Sequence, residues 1–93
     1  MIRPLEGITI LDLSSILMVP YCTRILADLG AEVIKIESLV GDNTRYIGPY
    51  ENKSMGAVFL NLNRNKKSVS IDLKTPKGKE IIFKLIRLSL IHI

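Results

Sequence analysis

The sequence predicts an α/β fold, a parallel sheet in the order β-α-β-loop-α-β-α, forming the incomplete N-terminal part of a larger domain. Short runs of β-branched and aliphatic residues (ITILDL, AEVIKIE, SVSIDL) alternate with segments whose apolar residues recur at helical spacing. Most connections between them are short, as right-handed crossovers in a parallel sheet require. Proline and glycine stand where helices should begin and end.

The first strand is ITILDL, ending near Leu13. Ser14, Ser15 and Pro20 break the run, and apolar residues at 21, 22, 25, 26 and 29 then mark one helix face from about 18 or 20 to 29. Gly30 suits its end, and Val33, Ile34 and Ile36 form a second strand with Glu37 at its exit. Residues 38–54 hold Gly41, Asp42, Asn43, Gly48, Pro49 and Asn52 without either period, which predicts a long loop, functional or mobile. The run MGAVFLNL at 55–62 fits a helical turn better than a strand. In SVSIDL, Val69, Ile71 and Leu73 alternate with polar residues as on a half-buried strand. Thr75 can cap a last helix with Pro76 in its first turn and apolar residues at 81, 82, 85 and 86.

An apolar content of 47% excludes a disordered or fibrous chain, although 93 residues lie near the lower end of independent stability. The single cysteine, Cys22, excludes an internal disulfide and a zinc pair; on the helix's apolar face it is read as core packing. The start, MIRPLEGITILDL, does not read as a secretory signal, and no run is long enough for a membrane span, so a cytoplasmic place is expected, mitochondrial or peroxisomal in a eukaryote. The net charge of +4 is uneven: basic residues concentrate between Arg64 and Arg87. Such a block suits phosphates or a solvated face; without interleaved aromatics it gives no support to nucleic-acid binding.

Ligands of parallel sheets sit at the carboxyl ends of strands, here after Leu13, after Ile36 and around Leu73. The turn from Ser14 to Pro20 has no glycine, which excludes the dinucleotide fingerprint despite the acidic Glu37. His92, the only histidine, has no ligating neighbours in sequence, so no metal site is expected and no Ser-His-Asp set can be assembled. Asp12 is either a buried catalytic acid or, the favoured reading, a hydrogen-bond acceptor for the turn that follows it.

Four segments, PLEGITILDLSS at 4–15, DLGAEVIKIE at 28–37, GDNTR at 41–45 and LNRNKKSVSIDLKTPKGKE at 62–80, together resemble the N-terminus of class III CoA-transferases. That family includes formyl-CoA transferase, succinate–hydroxymethylglutarate CoA-transferase and α-methylacyl-CoA racemase. The resemblance implies a Rossmann-like domain that binds CoA or acyl-CoA as substrate, with no tightly bound cofactor. Carried over by position, the CoA contacts are Leu17, Met18, Ser38, Ile71, Asp72, Leu73 and Lys74. Ile71 and Leu73 can pack an adenine and Lys74 can meet a phosphate, while Ile71 and Leu73 also suit a core. Leu17 stands where formyl-CoA transferase has glutamine, Val19 where a glycine is common and Ser38 where an arginine is common, departures that bear mainly on the substrate.

The family's transferases use an aspartate that forms a mixed anhydride with the acyl group and then carries CoA as a thioester before passing it to an acceptor carboxylic acid. No residue among the 93 takes that role, so the resemblance implies an N-terminal fragment with no catalytic residue, belonging to a protein that forms an interlocked homodimer. A racemase fragment and a small non-catalytic nucleotide-binding module are the alternatives. The last six residues, LSLIHI, resemble the translation of a transposon end used in preparing sequencing libraries. The expected bounds are therefore 1–87 for the partial CoA-binding domain and 88–93 for a non-native tail from adapter read-through.

Overall fold

The computed structural model describes residues 3–93. Its elements are β1 (Thr9–Asp12), α1 (Met18–Asp28), β2 (Glu32–Glu37), a 3-10 turn (Asn43–Tyr46), α2 (Ala57–Leu62), β3 (Lys66–Ser70), α3 (Pro76–Leu88) and β4 (Ile91–His92). The sheet is parallel throughout, in the order β3-β2-β1-β4. The chain steps outward from β1 to β3, then crosses back through α3 to the far side of β1.

A parallel sheet must be covered on both faces, and alternation along each strand divides its side chains between them. Ile10 and Val33 bury against Ala27 of α1 and Ala31, with Leu5, Ile8 and Leu26 packed around them. On the opposite face Leu11, Ile36, Ile71 and Ile82 of α3 form a second cluster, joined by Ile34, Val69, Leu85 and Ile86. The result is a Rossmann-like α/β layer whose strand order reverses between β1 and β4.

Most predicted elements stand within two residues of their expected bounds, and the ambiguous 55–62 run contains helix α2. Two expectations need correction. The predicted apolar face of α1 is not the one that meets the sheet: Pro20, Thr23 and Ala27 are buried, whereas Tyr21, Cys22, Ile25 and Leu29 are exposed and only Leu26 packs on the core. Small residues let α1 lie close enough for the Thr23 hydroxyl to reach Asp12 at 2.6 Å. Cys22 is accordingly outside the core. The third strand begins earlier than expected, at Lys66, because Lys66 and Lys67 register with Val33 and Ile34 along a sheet edge whose other side is open. It ends at Ser70, after which Ile71 turns inward with its amide on the Glu37 carbonyl at 2.9 Å. Residues 88–93 hold the end of α3 and the short strand β4, which registers with Ile10 and Leu11.

Candidate functional site

The face of the sheet that starts apolar with Ile10 and Val33 ends charged, because the next residues on that face are Asp12, Lys35 and Glu37. Each is buried, and each is satisfied by a partner from another segment. Asp12 accepts hydrogen bonds from the Ser14 amide at 2.8 Å and the Thr23 hydroxyl, and it pairs with Lys66 Nζ at 3.1 Å. Burial raises the Asp12 carboxyl, but the hydrogen bonds from Ser14, Thr23 and Lys66 outweigh it and hold the group below its ordinary range. Burial pushes Lys66 down, and Asp12 only partly restores it. With Pro20 O at 3.0 Å and Asn63 Oδ1 at 2.8 Å besides Asp12, every ammonium proton has an acceptor, which supports a charged pair.

Lys35, 1% exposed at its side chain, pairs with Asp42 Oδ2 at 2.9 Å and donates to the Ser14 carbonyl at 3.1 Å. Glu37 takes a forked contact from Arg45, with Nε at 2.8 Å and Nη2 at 2.7 Å, and also accepts from the Asp42 amide and the Ser68 hydroxyl. Arg45 lies over the Phe59 ring, 3.9 Å from its centroid. Gly41 makes this approach possible: at φ +84° it occupies the left-handed region, and a Cβ there would sit 2.9 Å from Arg45 Cδ. The long loop is thus tied to β2 at Asp42 and Arg45.

The Arg45 guanidinium holds Glu37 at a pKa of about 2, against an ordinary 4.5. A carboxylate depressed in the folded state stabilises it fully above the unfolded pKa and loses that contribution as pH falls through the folded value. Stability should therefore decline from about pH 4.5 towards pH 2, Asp12 and Asp42 adding to the decline in the same direction. Urea unfolding across that range should show it, and an Arg45→Met variant should show a weaker pH dependence.

Over the carboxyl ends of β2 and β3, a crevice of about 250 Å³ is lined by Leu13, Ile36, Ser38 and the stretch Ile71–Lys74. Five of the seven sequence-predicted contacts, Ser38, Ile71, Asp72, Leu73 and Lys74, therefore share one cavity. Ile71 is 6% exposed and belongs mainly to the core, whereas Leu73 forms an apolar lip and Lys74 is exposed. The Asp72 carboxylate accepts the Lys74 amide at 3.0 Å and so shapes the turn. Leu17 and Met18 do not line this crevice; they project at the head of α1, 55% and 83% exposed. A second cavity of about 300 Å³, lined by Ser14, Ser15, Asp42 and Asn43, lies between the loops after β1 and β2 and shares Leu13, Ile36, Glu37 and Ser38 with the first. Among the described residues no cluster of His, Cys, Asp and Glu is placed to hold a metal ion, and no helix is long and apolar enough to cross a membrane.

Residues 5–93 match the family model of CoA-transferase family III. The chain belongs to this family. Human (Homo sapiens) succinyl-CoA:glutarate CoA-transferase is 49% identical over 85 residues, 90% of this chain and 19% of that protein. Formyl-CoA:oxalate CoA-transferase of Bradyrhizobium sp. is 44% identical over 89 residues, 94% of this chain and 21% of that protein. The crystal structure of a CAIB/BAIF family protein from Brucella suis superimposes with a TM-score of 0.91 at 35% identity, covering 99% of this chain and 25% of that one. The chain thus spans about a fifth of the length of these curated relatives.

In this CoA-transferase family III chain, sequence reasoning had not assigned the roles of Lys35, Asp42, Arg45 and Lys66. Their signal lay in the charges placed inside otherwise apolar strands, Asp12 in ITILDL and Lys35 in AEVIKIE, each of which needs a partner once buried. Of the basic block, Arg64, Lys66, Lys67 and Lys84 are engaged with Asp28, Asp12, Glu32 and Glu80. Lys74 is the cation of that block that stands in the crevice.

Proposed function

We propose that these residues form the nucleotide-binding end of an acyl-CoA:carboxylate CoA-transferase. The observation that carries the proposal is the crevice across the strand ends, where the Leu73 lip and the edges of Leu13 and Ile36 give an apolar wall for an adenine and Lys74 gives a cation for a phosphate. CoA or acyl-CoA enters as substrate, and Leu17 and Met18 meet a part of it beyond the crevice. Transfer itself needs a carboxylate outside residues 1–93. By resemblance this is an aspartate that exchanges its bond between acyl group and CoA before a carboxylic acid accepts the thioester. An interlocked homodimer, a fragment bounded at residue 87 and a foreign tail at 88–93 belong to the same proposal. The named relatives are all transferases, which favours transfer over racemisation.

Titration of the protein with CoA and with pantetheine, which lacks the nucleotide, tests the assignment. Lys74→Ala should weaken CoA about five- to tenfold, as loss of one charge-assisted contact does, and leave pantetheine unchanged. No saturable CoA binding by the unsubstituted protein, or equal CoA affinity with and without Lys74, would rule it out. Tight CoA binding by a cooperatively folded, monomeric 93-residue chain would favour the non-catalytic module instead.

A further inference from the structure

Among the described residues, Ile16 is the β-branched one held at a positive φ. Its φ is +74°, in the left-handed region, where a β-branched side chain clashes with its own backbone. Such a conformation persists only when the surroundings impose it. Two contacts do so here, and both come from one buried ion pair: the Ile16 amide donates to the Asp42 carboxylate, 3.3 Å from each oxygen, and Lys35 Nζ donates to the Ser14 carbonyl at 3.1 Å. Lys35 and Asp42 hold each other at 2.9 Å with both side chains 1% exposed. Lys35 belongs to β2 and Asp42 to the loop after it, so the pair fastens the loop after β1 to the loop after β2. Those are the two walls of the second cavity, which opens onto the CoA crevice through Leu13, Ile36 and Ser38.

We propose that Lys35 and Asp42 are positioning residues: the pair clamps the Ser14–Ile16 turn in its left-handed form and thereby sets Leu17 and Met18 against the bound acyl-CoA. The proposal rests on the CoA assignment above and extends it to residues that do not touch the ligand. It also gives the buried pair a purpose apart from stability, since a buried pair is commonly replaceable by apolar residues of similar size.

That replaceability supplies the test. Lys35→Met combined with Asp42→Leu removes both charges without leaving either one unpaired. Because Asp42→Leu also takes the acceptor from the buried Thr44 amide and hydroxyl, the double variant should melt several degrees lower, yet at a temperature where it is fully folded it should exchange its Ile16 amide hydrogen at least about tenfold faster and bind CoA about tenfold more weakly. Adding Ile16→Gly, which adopts a positive φ without a clamp, should recover a substantial part of the CoA affinity. A merely structural role predicts weaker binding only in proportion to the unfolded fraction, and no recovery by Ile16→Gly. Wild-type exchange, or accelerated exchange with unchanged CoA affinity, would overturn the proposal. If the double variant does not fold, Asp42→Asn, which keeps an acceptor but removes the charge, should show both effects at a few-fold, and wild-type values for it would be equally decisive. Absence of CoA binding by the unsubstituted protein would sink the CoA assignment, while Ile16 exchange would still decide the clamp.

Discussion

Asp12→Ala should destabilise the protein by about 3–5 kcal/mol, the cost of removing one partner from a buried ion pair. The substitution does more than delete a carboxylate. Lys66 Nζ is left with Pro20 O and Asn63 Oδ1, both neutral, and the Thr23 hydroxyl and Ser14 amide lose their shared acceptor. The second turn of α1, through Thr23, the end of β1 and the start of β3 all meet at this carboxylate, so the loss is spread over three elements. Since small domains are stable by only about 5–15 kcal/mol, the variant should retain little folded population under mild denaturation. Chemical unfolding monitored by circular dichroism measures it. Asp12→Leu with Lys66→Met should recover most of the lost stability, because no lone charge then remains in the interior. A loss below about 1 kcal/mol for Asp12→Ala would mean that water reaches Lys66 and that the pair is in effect a surface one.

The same residue shows where sequence reasoning succeeds. Asp12 was expected to serve the turn after it, and its contacts with Ser14 bear this out. Strand and helix order was legible because each element has its own period, and Thr75 and Pro76 mark the start of α3 by a side-chain cap that the structure contains, Gly78 N to Thr75 Oγ1 at 3.0 Å. The orientation of α1 was not legible. Its larger apolar residues gave the stronger periodic signal, but contact with the sheet went to the face that could approach most closely, Pro20, Thr23 and Ala27.

The candidate site was legible at the strand ends and not between them. Ser38 and the Ile71–Lys74 stretch fall in one crevice because each follows a parallel strand, which topology alone dictates. The pairing of Lys35 with Asp42 and of Glu37 with Arg45 depends on how a loop without period folds back over β2. Only Gly41, with its positive φ, hints in sequence at so tight a return. β4 was missed for a simpler reason: a strand of two residues, Ile91 and His92, has no period to read.

Gly78→Ala sets two rules against each other. In a helix alanine is favoured over glycine by about 1 kcal/mol, so α3 taken alone should gain stability. The structure predicts the opposite sign. A Cβ at position 78 would fall within the van der Waals envelope of the Asp72 carbonyl oxygen, 2.8 Å from the carbonyl carbon and 3.0 Å from Thr75 Oγ1. Neither neighbour can easily yield: the Asp72 carbonyl accepts the Thr75 amide at 3.2 Å and the Thr75 hydroxyl at 2.9 Å, and that hydroxyl caps the helix. Relief requires the Asp72–Thr75 turn and the first turn of α3 to separate, which breaks the cap. Overpacking of about 1–3 kcal/mol or more plus a cap of about 1 kcal/mol exceeds the propensity gain, for a net loss of about 1–3 kcal/mol or more. Because Asp72, Leu73 and Lys74 form one wall of the crevice, CoA affinity should fall with stability, by more than Lys74→Ala alone produces. Thermal unfolding and CoA titration of the same variant separate the outcomes. Stability at or above wild type would mean that α3 stands off from Asp72, and the wall that presents Lys74 would then lack the support inferred for it.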